Sequence, residues 1–421
     1  MTICFYFHRK DFLDSFLSII NELSKKNKIF IIINFKINRK KKILLSKKNI
    51  FLYEHQYLIE KKILNLLNVF KIFSKNRNLF QIFVSFFYHY FKFNSEIKFI
   101  DSFFEKHKFD KLCVGSDREI GLGAHLIKKS KLNKRKVILL NVFSSNTSGS
   151  IVNRMRSAEN ICSKYNLKKL FFKKKHLLKF KGTTYNFFKS DLYFAAYFNN
   201  ALVSNPWDRC YDADKIIVES KIAKQQLVKV NKISGSKIIV KGIPIFDLLK
   251  KRKNLTNKMK IILHMPHLYE HGFLSYPKTI KFYFSLLNKF IKLKINKKIL
   301  IVYHPRVSKK IRTLILNKYK AFYCFNSYNL IRNLNNAQAF ISWWSTTIGW
   351  ALFMKIPTIS LNCFGSPING WEEFKKNTYV ANNIDDINHA LIKKVLKKKS
   401  IKFEKKKFNY TKIISDTILK V

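Results

Sequence analysis

Three hydroxyl side chains, Ser345, Thr346 and Thr347, stand between two apolar runs in QAFISWWSTTIGWALFMKIPTISLN (Gln338–Asn362). Three of the chain's five tryptophans, Trp343, Trp344 and Trp350, crowd the same stretch. Hydroxyls buried in such surroundings need hydrogen-bond partners, supplied by backbone or by a ligand. The run before them reads as a strand and the run after them as a helix. A helix start offers free N–H groups and a partial positive charge, so it attracts an anion such as phosphate, and the hydroxyls add donors at the same point. A simple helix cap is the competing use of Ser345 or Thr346.

Other polar residues also follow apolar runs. KGIPIFD carries Gly242, HMPHLYEHG carries Pro266, Glu270 and His271, and YHPR carries His304 and Arg306. Arginine offers a fork that matches phosphate oxygens two at a time. In the first half, VGSDREIG offers the carboxylates Asp117 and Glu119. A carboxylate at a strand end suits proton transfer, although Asp117 also suits capping of the helix that follows. Glu270 is a further candidate of this kind. No Asp-x-Asp metal motif stands out, so no metal is expected.

The elements that must position these residues read as alternating strands and helices. ICFYFH (Ile3–His8), KIFIIINF (Lys28–Phe35), DKLCVGSD (Asp110–Asp117) and KVILLNVF (Lys136–Phe143) are strands of the first half. A helical pattern runs from Asp11 to Leu23, the stretch from Tyr57 to Phe93 is mostly helical, and REIGLGAHLIKKSK forms another helix. The second half repeats the alternation through DKIIVES, KIIVKG, KIILHMPH, KILIVYHPR, KAFYCFN, QAFISW and PTISLN. Continuous apolar strands separated by helices imply parallel sheets covered on both faces. Ligands of such sheets bind beyond the carboxyl ends of the strands.

All 421 residues together exceed one ordinary core, and 47% are hydrophobic, enough to fill two. The seven prolines all lie after Asn205, a compositional step that hints at a boundary. The expected architecture is α/β, with two Rossmann-like domains facing across a cleft. Residues 1–200 form the first domain, 201–400 the second, with its sheet from Lys237 to Lys399, and 401–421 a helical tail. The break falls between about Gly182 and Lys237.

The net charge is +57. Lys, Asn, Ile, Phe and Tyr are abundant together, and all have AT-rich codons, so a skewed genome accounts for the lysines without a nucleic-acid partner. Neither a zinc finger, an RRM-like signature nor a localised arginine stripe is present. Such a surface still adheres to anionic lipid headgroups. Two basic, aromatic stretches, Val69–Phe93 and Lys168–Gly182, read either as amphipathic segments able to lie on a membrane or as a core-packed helix and a solvated loop. The six cysteines are far apart and lack a C-x-x-C, which favours core packing over disulfides or zinc. His8, Arg9 and Lys10 follow the first apolar run, the wrong order for a secretory signal, and no run is long enough to span a membrane. The expected location is cytoplasmic, with peripheral attachment to an anionic membrane face.

The ordered segments KGIPIFDLL, KIILHMPH, ILIVYHPR and AQAFISWWSTTIGWALFMKIPTISL resemble the nucleotide-binding half of GT-B type glycosyltransferases of bacterial surface-polysaccharide synthesis. These include polysialic acid transferases and the polyol-phosphate transferases of teichoic acid synthesis. The shared features are a Gly-x-Pro turn (Gly242, Pro244), a strand ending in His-Pro (His304, Pro305), and a Ser/Thr cluster opening a helix that ends in Pro357. The resemblance spans roughly Ser204 to Leu361. It implies a nucleotide-sugar or CDP-polyol donor held at Gly242, Pro266, His304, Arg306 and Ser345–Thr347. It also implies a saccharide or lipid-linked saccharide acceptor in the first domain, a catalytic carboxylate among Asp117, Glu119 and Glu270, and no cofactor. Trp350 stands where many relatives carry a donor-contacting Glu, and Glu372 or Glu373 is the available substitute. A UDP-N-acetylglucosamine 2-epimerase-like enzyme shares the expected fold, but the paired His/Glu motifs of those enzymes are not found. A basic nucleic-acid-binding protein is the third reading.

Overall fold

The computed structural model describes residues 1–46, 48–55, 79–140, 161–162, 172–180, 183–207, 212–229, 232–245, 247, 261–269, 274–304, 307–320, 322–326, 330–334, 337–343, 347–363, 378–397 and 409–421. They fall into two compact units. The first holds the described residues up to Pro244 together with Asn409–Val421, and the second holds those from Ile245 to 397.

The first unit is built on β1 (Thr2–Phe7), β2 (Lys28–Ile33), β3 (Ile50–Glu54), β4 (Lys111–Val114) and β5 (Lys136–Leu140). A short antiparallel sheet follows, made of β6 (Ile161–Cys162), β7 (Leu177–Phe180) and β8 (Thr183–Asn186). Strands β9 (Lys215–Val218) and β10 (Ile238–Val240) then return to the main sheet. Among the described residues its order is β10-β9-β5-β4-β1-β2-β3, parallel throughout. The helices are α1 (Lys10–Leu23), α2 (Arg39–Leu45), α3 (Leu79–Lys106), α4 (Leu122–Leu132), α5 (Ser190–Phe198) and α6 (Lys221–Lys229).

Alternate residues of β1 enter different cores, as the two-residue period of a strand requires. Ile3, Phe5 and Phe7 pack with Phe12, Leu13, Phe16, Ile19 and Ile20 of α1. Cys4 and Tyr6 pack with Ile100 and Phe103 of α3, and with Leu122, Leu126 and Ile127 of α4. Every residue of β1 from Ile3 on is buried, which is why the strand reads as a continuous apolar run rather than an alternating one. Cys4 and Cys113 are free thiols in this interior.

The second unit carries β11 (Ile261–Met265), β12 (Ile299–Tyr303), β13 (Tyr323–Asn326), β14 (Ala339–Trp343), β15 (Thr358–Leu361) and β16 (Thr378–Ala381). Its order is β13-β12-β11-β14-β15-β16, again parallel. The helices are α7 (Tyr276–Lys292), α8 (Lys309–Lys318), α9 (Leu330–Leu334), α10 (Thr347–Phe353) and α11 (His389–Lys397). Helix α7 presents Phe282, Tyr283, Leu286, Leu287 and Phe290 at three- and four-residue spacing to the core under β11 and β12. The last helix, α12 (Tyr410–Lys420), belongs to the first unit, where Ile414 and Ile418 join the α1 core.

Both sheets are doubly wound, with the order reversing beside the first strand of each unit: at β1/β4 and at β11/β14. Two Rossmann-like domains were expected, and two are present. The division differs from 1–200 and 201–400. Strands β9 and β10 pair onto β5 and extend the first sheet, so that unit runs to Pro244. The tail is no independent element, because Lys111 Nζ donates to the carbonyls of Ile418 and Leu419 at 2.8 and 2.7 Å and ties α12 down. The stretch Lys168–Gly182, read as amphipathic, is strand β7 and a preceding 3-10 turn where it is described. Its His176 is buried, with Nε2 2.9 Å from the Val203 carbonyl.

Candidate functional site

At the switch point of the first sheet, four polar side chains meet at the strand ends. Tyr6 lies near the end of β1, and His8 follows that strand. Asn34 follows β2, and Glu119 follows β4. Tyr6 donates its hydroxyl proton to Glu119 Oε2 at 2.7 Å, and Asn34 Nδ2 donates to Oε1 at 3.1 Å. His8 Nδ1 lies 3.4 Å from Oε2. Gly123, in the first turn of α4, makes the space: a Cβ there would stand 2.8 Å from Tyr6 Cε1 and 3.0 Å from Glu119 Oε2.

Burial of the Glu119 carboxylate lifts its pKa. The hydrogen bond from Tyr6 holds it back, nearby Glu96 adds to the lift, and the net is about 8. Burial, and then the Glu119 charge, push the Tyr6 phenol well above its ordinary value. Glu96 itself is buried and accepts the Leu122 backbone N–H at 2.8 Å, which fixes the start of α4. A carboxyl that exchanges its proton near neutral pH, beside an imidazole, is equipped for general acid–base work.

Asp117 is placed otherwise. It is buried, and its Oδ2 accepts the Asp212 N–H at 3.4 Å, tying the β4 loop to the chain before β9. It does not cap the next helix, whose N-cap is Gly121 at φ 82°. The chain's one Asp-x-Asp triplet, Asp212–Asp214, is spent on backbone: Asp212 accepts from Ser204 N at 3.4 Å and Asp214 from Val137 N at 2.8 Å.

At the switch point of the second sheet the polar residues are histidines. His264 on β11 is the register partner of Ser342 on β14, and its Nδ1 lies 3.1 Å from Ser342 Oγ. Both are buried, and burial lowers the His264 pKa to about 4, so the ring is neutral at neutral pH. His304 follows β12, with its backbone N–H donated to the Met265 carbonyl at 3.2 Å. Its ring stacks on that of His267 with centroids 3.6 Å apart and planes 15° from parallel, and lies 5.9 Å from the His264 ring. Pro266 is buried, and its carbonyl accepts the Tyr283 hydroxyl. Thr347, also buried, opens α10. Among the described residues, no group of three His, Cys, Asp or Glu could hold a metal ion.

Gly242 sits elsewhere than expected, past β10 of the first sheet. Its φ is 84°, and a Cβ would meet Tyr410 Cδ1 at 2.4 Å. Contact with α12 and a left-handed turn account for the glycine. Arg306, Ser345, Thr346, Glu270, His271, Glu372 and Glu373 lie outside the described residues.

Glu119 and His304 are singled out by the sequence as polar residues past strands, and Tyr6, His8, Asn34, His264 and His267, which the structure places beside them, are not. The signal was present for several of them. His8 and Asn34 are the first polar residues beyond two apolar runs, and KIILHMPH places two histidines at a strand end.

Two doubly wound domains in one chain, each with polar groups at its switch point, define the GT-B class of fold. A variant of the wall teichoic acid polymerase TagF soaked with CDPG is similar to this chain at a TM-score of 0.51 and 14% identity, over 100% of this chain and 88% of that one. A UDP-N-acetylglucosamine 2-epimerase gives 0.48 and 12%, over 99% and 90%. A glycosyltransferase from Rickettsia africae ESF-5 gives 0.44 and 17%, over 99% and 92%. No family model and no curated protein matches the sequence. At such identities the TagF likeness shows a shared fold.

Proposed function

We propose that the protein is a glycosyltransferase that moves a sugar, or a polyol phosphate, from a nucleotide-activated donor to a saccharide acceptor of surface-polysaccharide synthesis. The observation that carries this reading is Glu119, a carboxyl with a pKa of about 8 held by Tyr6 and Asn34 beside His8 at a sheet switch point. In its ionised form Glu119 takes the proton of the attacking acceptor hydroxyl, with His8 as the adjacent proton carrier. The new bond forms from that oxygen to the donor, and the nucleotide leaves with the electrons of the broken bond. Negative charge then grows on the leaving phosphate, where N–H and O–H donors matter most. His304, with Ser345 and Thr346 past β14, supplies those donors. His264 is buried and neutral, and it positions the β11–β14 seam rather than touching the donor. No cofactor or metal enters the reading, and the donor itself brings the leaving group.

CDPG was soaked into TagF, so CDP-linked donors head the test series. A thermal-shift screen of CMP, CDP, UDP and GDP identifies the base, because a bound nucleotide raises the melting temperature by mass action. Calorimetric titration into His304→Ala and Ser345→Ala then tests the seat. Each should lose more than about tenfold in affinity, or about 1.4 kcal/mol, at near-normal melting temperature. Unchanged affinity in both rejects the donor seat. Conversion of a nucleotide-sugar to its epimer without nucleotide release assigns the fold to an epimerase instead.

A further inference from the structure

Helix α3 buries one face and leaves another bare. Tyr88, Phe93, Glu96, Ile100 and Phe103 face inward, whereas Phe83, Phe87 and Phe91, four residues apart, form a stripe on the outer side. Phe83 is 60% exposed and Phe91 52%, values far from a core-packed aromatic. Their rings follow one another along the helix, Phe83 edge-to-face with Phe87 at 4.6 Å and Phe87 tilted toward Phe91 at 6.3 Å. The stripe continues onto α5, where Phe198 is 65% exposed and meets Phe86 edge-on at 6.1 Å, next to exposed Tyr197.

Lysines rim this patch. Lys173, Lys174 and Lys175 are exposed on the turn before β7. Phe172 stacks on Tyr193 of α5 at 4.0 Å, and the Lys173 ammonium lies 5.7 Å from the Tyr197 ring centre. Residues 79–95 and 172–180 contain no acidic side chain, and the one acid of α5, Asp191, is buried on Ser85.

We infer that the outer stripe of α3, the end of α5 and the Lys173–Lys175 turn form a docking surface for an anionic phospholipid bilayer. The partner must be negative to meet the lysines, and it must offer an apolar medium to the phenyl rings. The headgroup–acyl boundary of an anionic membrane does both. Tyr197 beside the phenylalanines suits that boundary, where a tyrosine keeps its hydroxyl wet. A single-stranded nucleic acid fits less well, because Phe83 and Phe87 meet edge to face at 4.6 Å, and that contact occupies a ring face on which a base would stack. Among the described residues, no helix is long and apolar enough to cross a membrane, so the contact is a surface one.

The test is cosedimentation of the full chain with phosphatidylcholine vesicles, with and without phosphatidylglycerol. Phe83→Ser with Phe198→Ser should lower partitioning into the anionic vesicles by about tenfold or more. Lys173→Glu with Lys174→Glu should lower it comparably. Lys292→Glu with Lys309→Glu, in the second unit, carries the same charge change and should have a small effect. If the double phenylalanine variant melts lower, Phe83→Ser alone makes the comparison. Unchanged binding in both patch variants overturns the proposal, as does equal loss in the second-unit control. It is also overturned if the phenylalanine change abolishes dimer formation, or binding of single-stranded RNA, and leaves vesicle binding intact.

Discussion

His264 Nδ1 and Ser342 Oγ stand 3.1 Å apart, directly across from each other on β11 and β14. Ser342 gives its own proton to the Trp343 carbonyl at 3.0 Å. Its oxygen is therefore the acceptor, which puts a proton on His264 Nδ1 and leaves Nε2 bare. The pair is buried in the seam where the strand order reverses, one residue before β14 ends and two strands away from solvent on either side. A polar pair in such a place costs free energy unless each group is satisfied. Its Ser342 lies on the strand that precedes Thr347 of α10 in the chain.

Acid should loosen this seam. The His264 pKa is about 4 in the folded chain, below the ordinary value of 6.5. Because the folded value is depressed, the unfolded chain binds the extra proton first. The stabilisation is full above the ordinary value and is lost as pH falls toward about 4, by about 3 kcal/mol. Urea unfolding across that window should show the loss, and His264→Leu should flatten it. An unchanged slope in the variant would assign the acid sensitivity to other groups.

Glu119 has the opposite consequence. Its folded pKa of about 8 lies above the ordinary 4.5, so the folded state holds the proton longer. The group's stabilising share is full below the ordinary value and declines as pH rises, until it is gone above about 8. Glu119→Gln should remove that decline and raise stability in the alkaline range by a few kcal/mol. If Glu119 is the base, the same variant should lower turnover by about a hundredfold or more, and the alkaline rise in the rate of the parent protein should disappear. A variant with both normal turnover and a normal pH–rate profile would remove Glu119 from the chemistry.

Lys111→Met tests the attachment of α12. The substitution keeps the apolar stem and deletes the ammonium that serves the Ile418 and Leu419 carbonyls. It also removes a cation from a helix carboxyl end, where the macrodipole favours one. A loss of about 1–3 kcal/mol is expected, measured by chemical denaturation. Deleting Asn409–Val421 should cost more, since Ile414 and Ile418 leave the α1 core. A fully stable deletion would show that the helix contributes nothing to the first unit.

Gly242→Ala separates a turn from a ligand contact. The new Cβ meets Tyr410 at 2.4 Å, and the backbone stays at φ 84°. The expected destabilisation is above about 1 kcal/mol, with nucleotide affinity unaltered. Adding Tyr410→Ala should relieve the collision and leave the strain of the left-handed backbone. A selective loss of nucleotide affinity at normal stability would restore Gly242 to the donor site.

The sequence by itself determined the alternation of buried strands and amphipathic helices, because the two-residue and 3.6-residue periods are local and are written in neighbouring residues. ICFYF and KILIVY can be read as strands without any partner in view, and Glu119 and His304 can be read as polar groups at strand ends. Only the tertiary structure decided which strand ends are neighbours. Tyr6, Asn34 and Glu119 come from three segments, with Glu119 113 residues from Tyr6 and 85 from Asn34. They meet because β1 pairs with both β2 and β4. The same holds for β9 and β10, which look like the start of the second series but complete the first sheet, and for α12, which returns to α1 from the far end of the chain. Pairing across such separations is set by which apolar faces fit together once the loops are closed, and no local spacing records that choice.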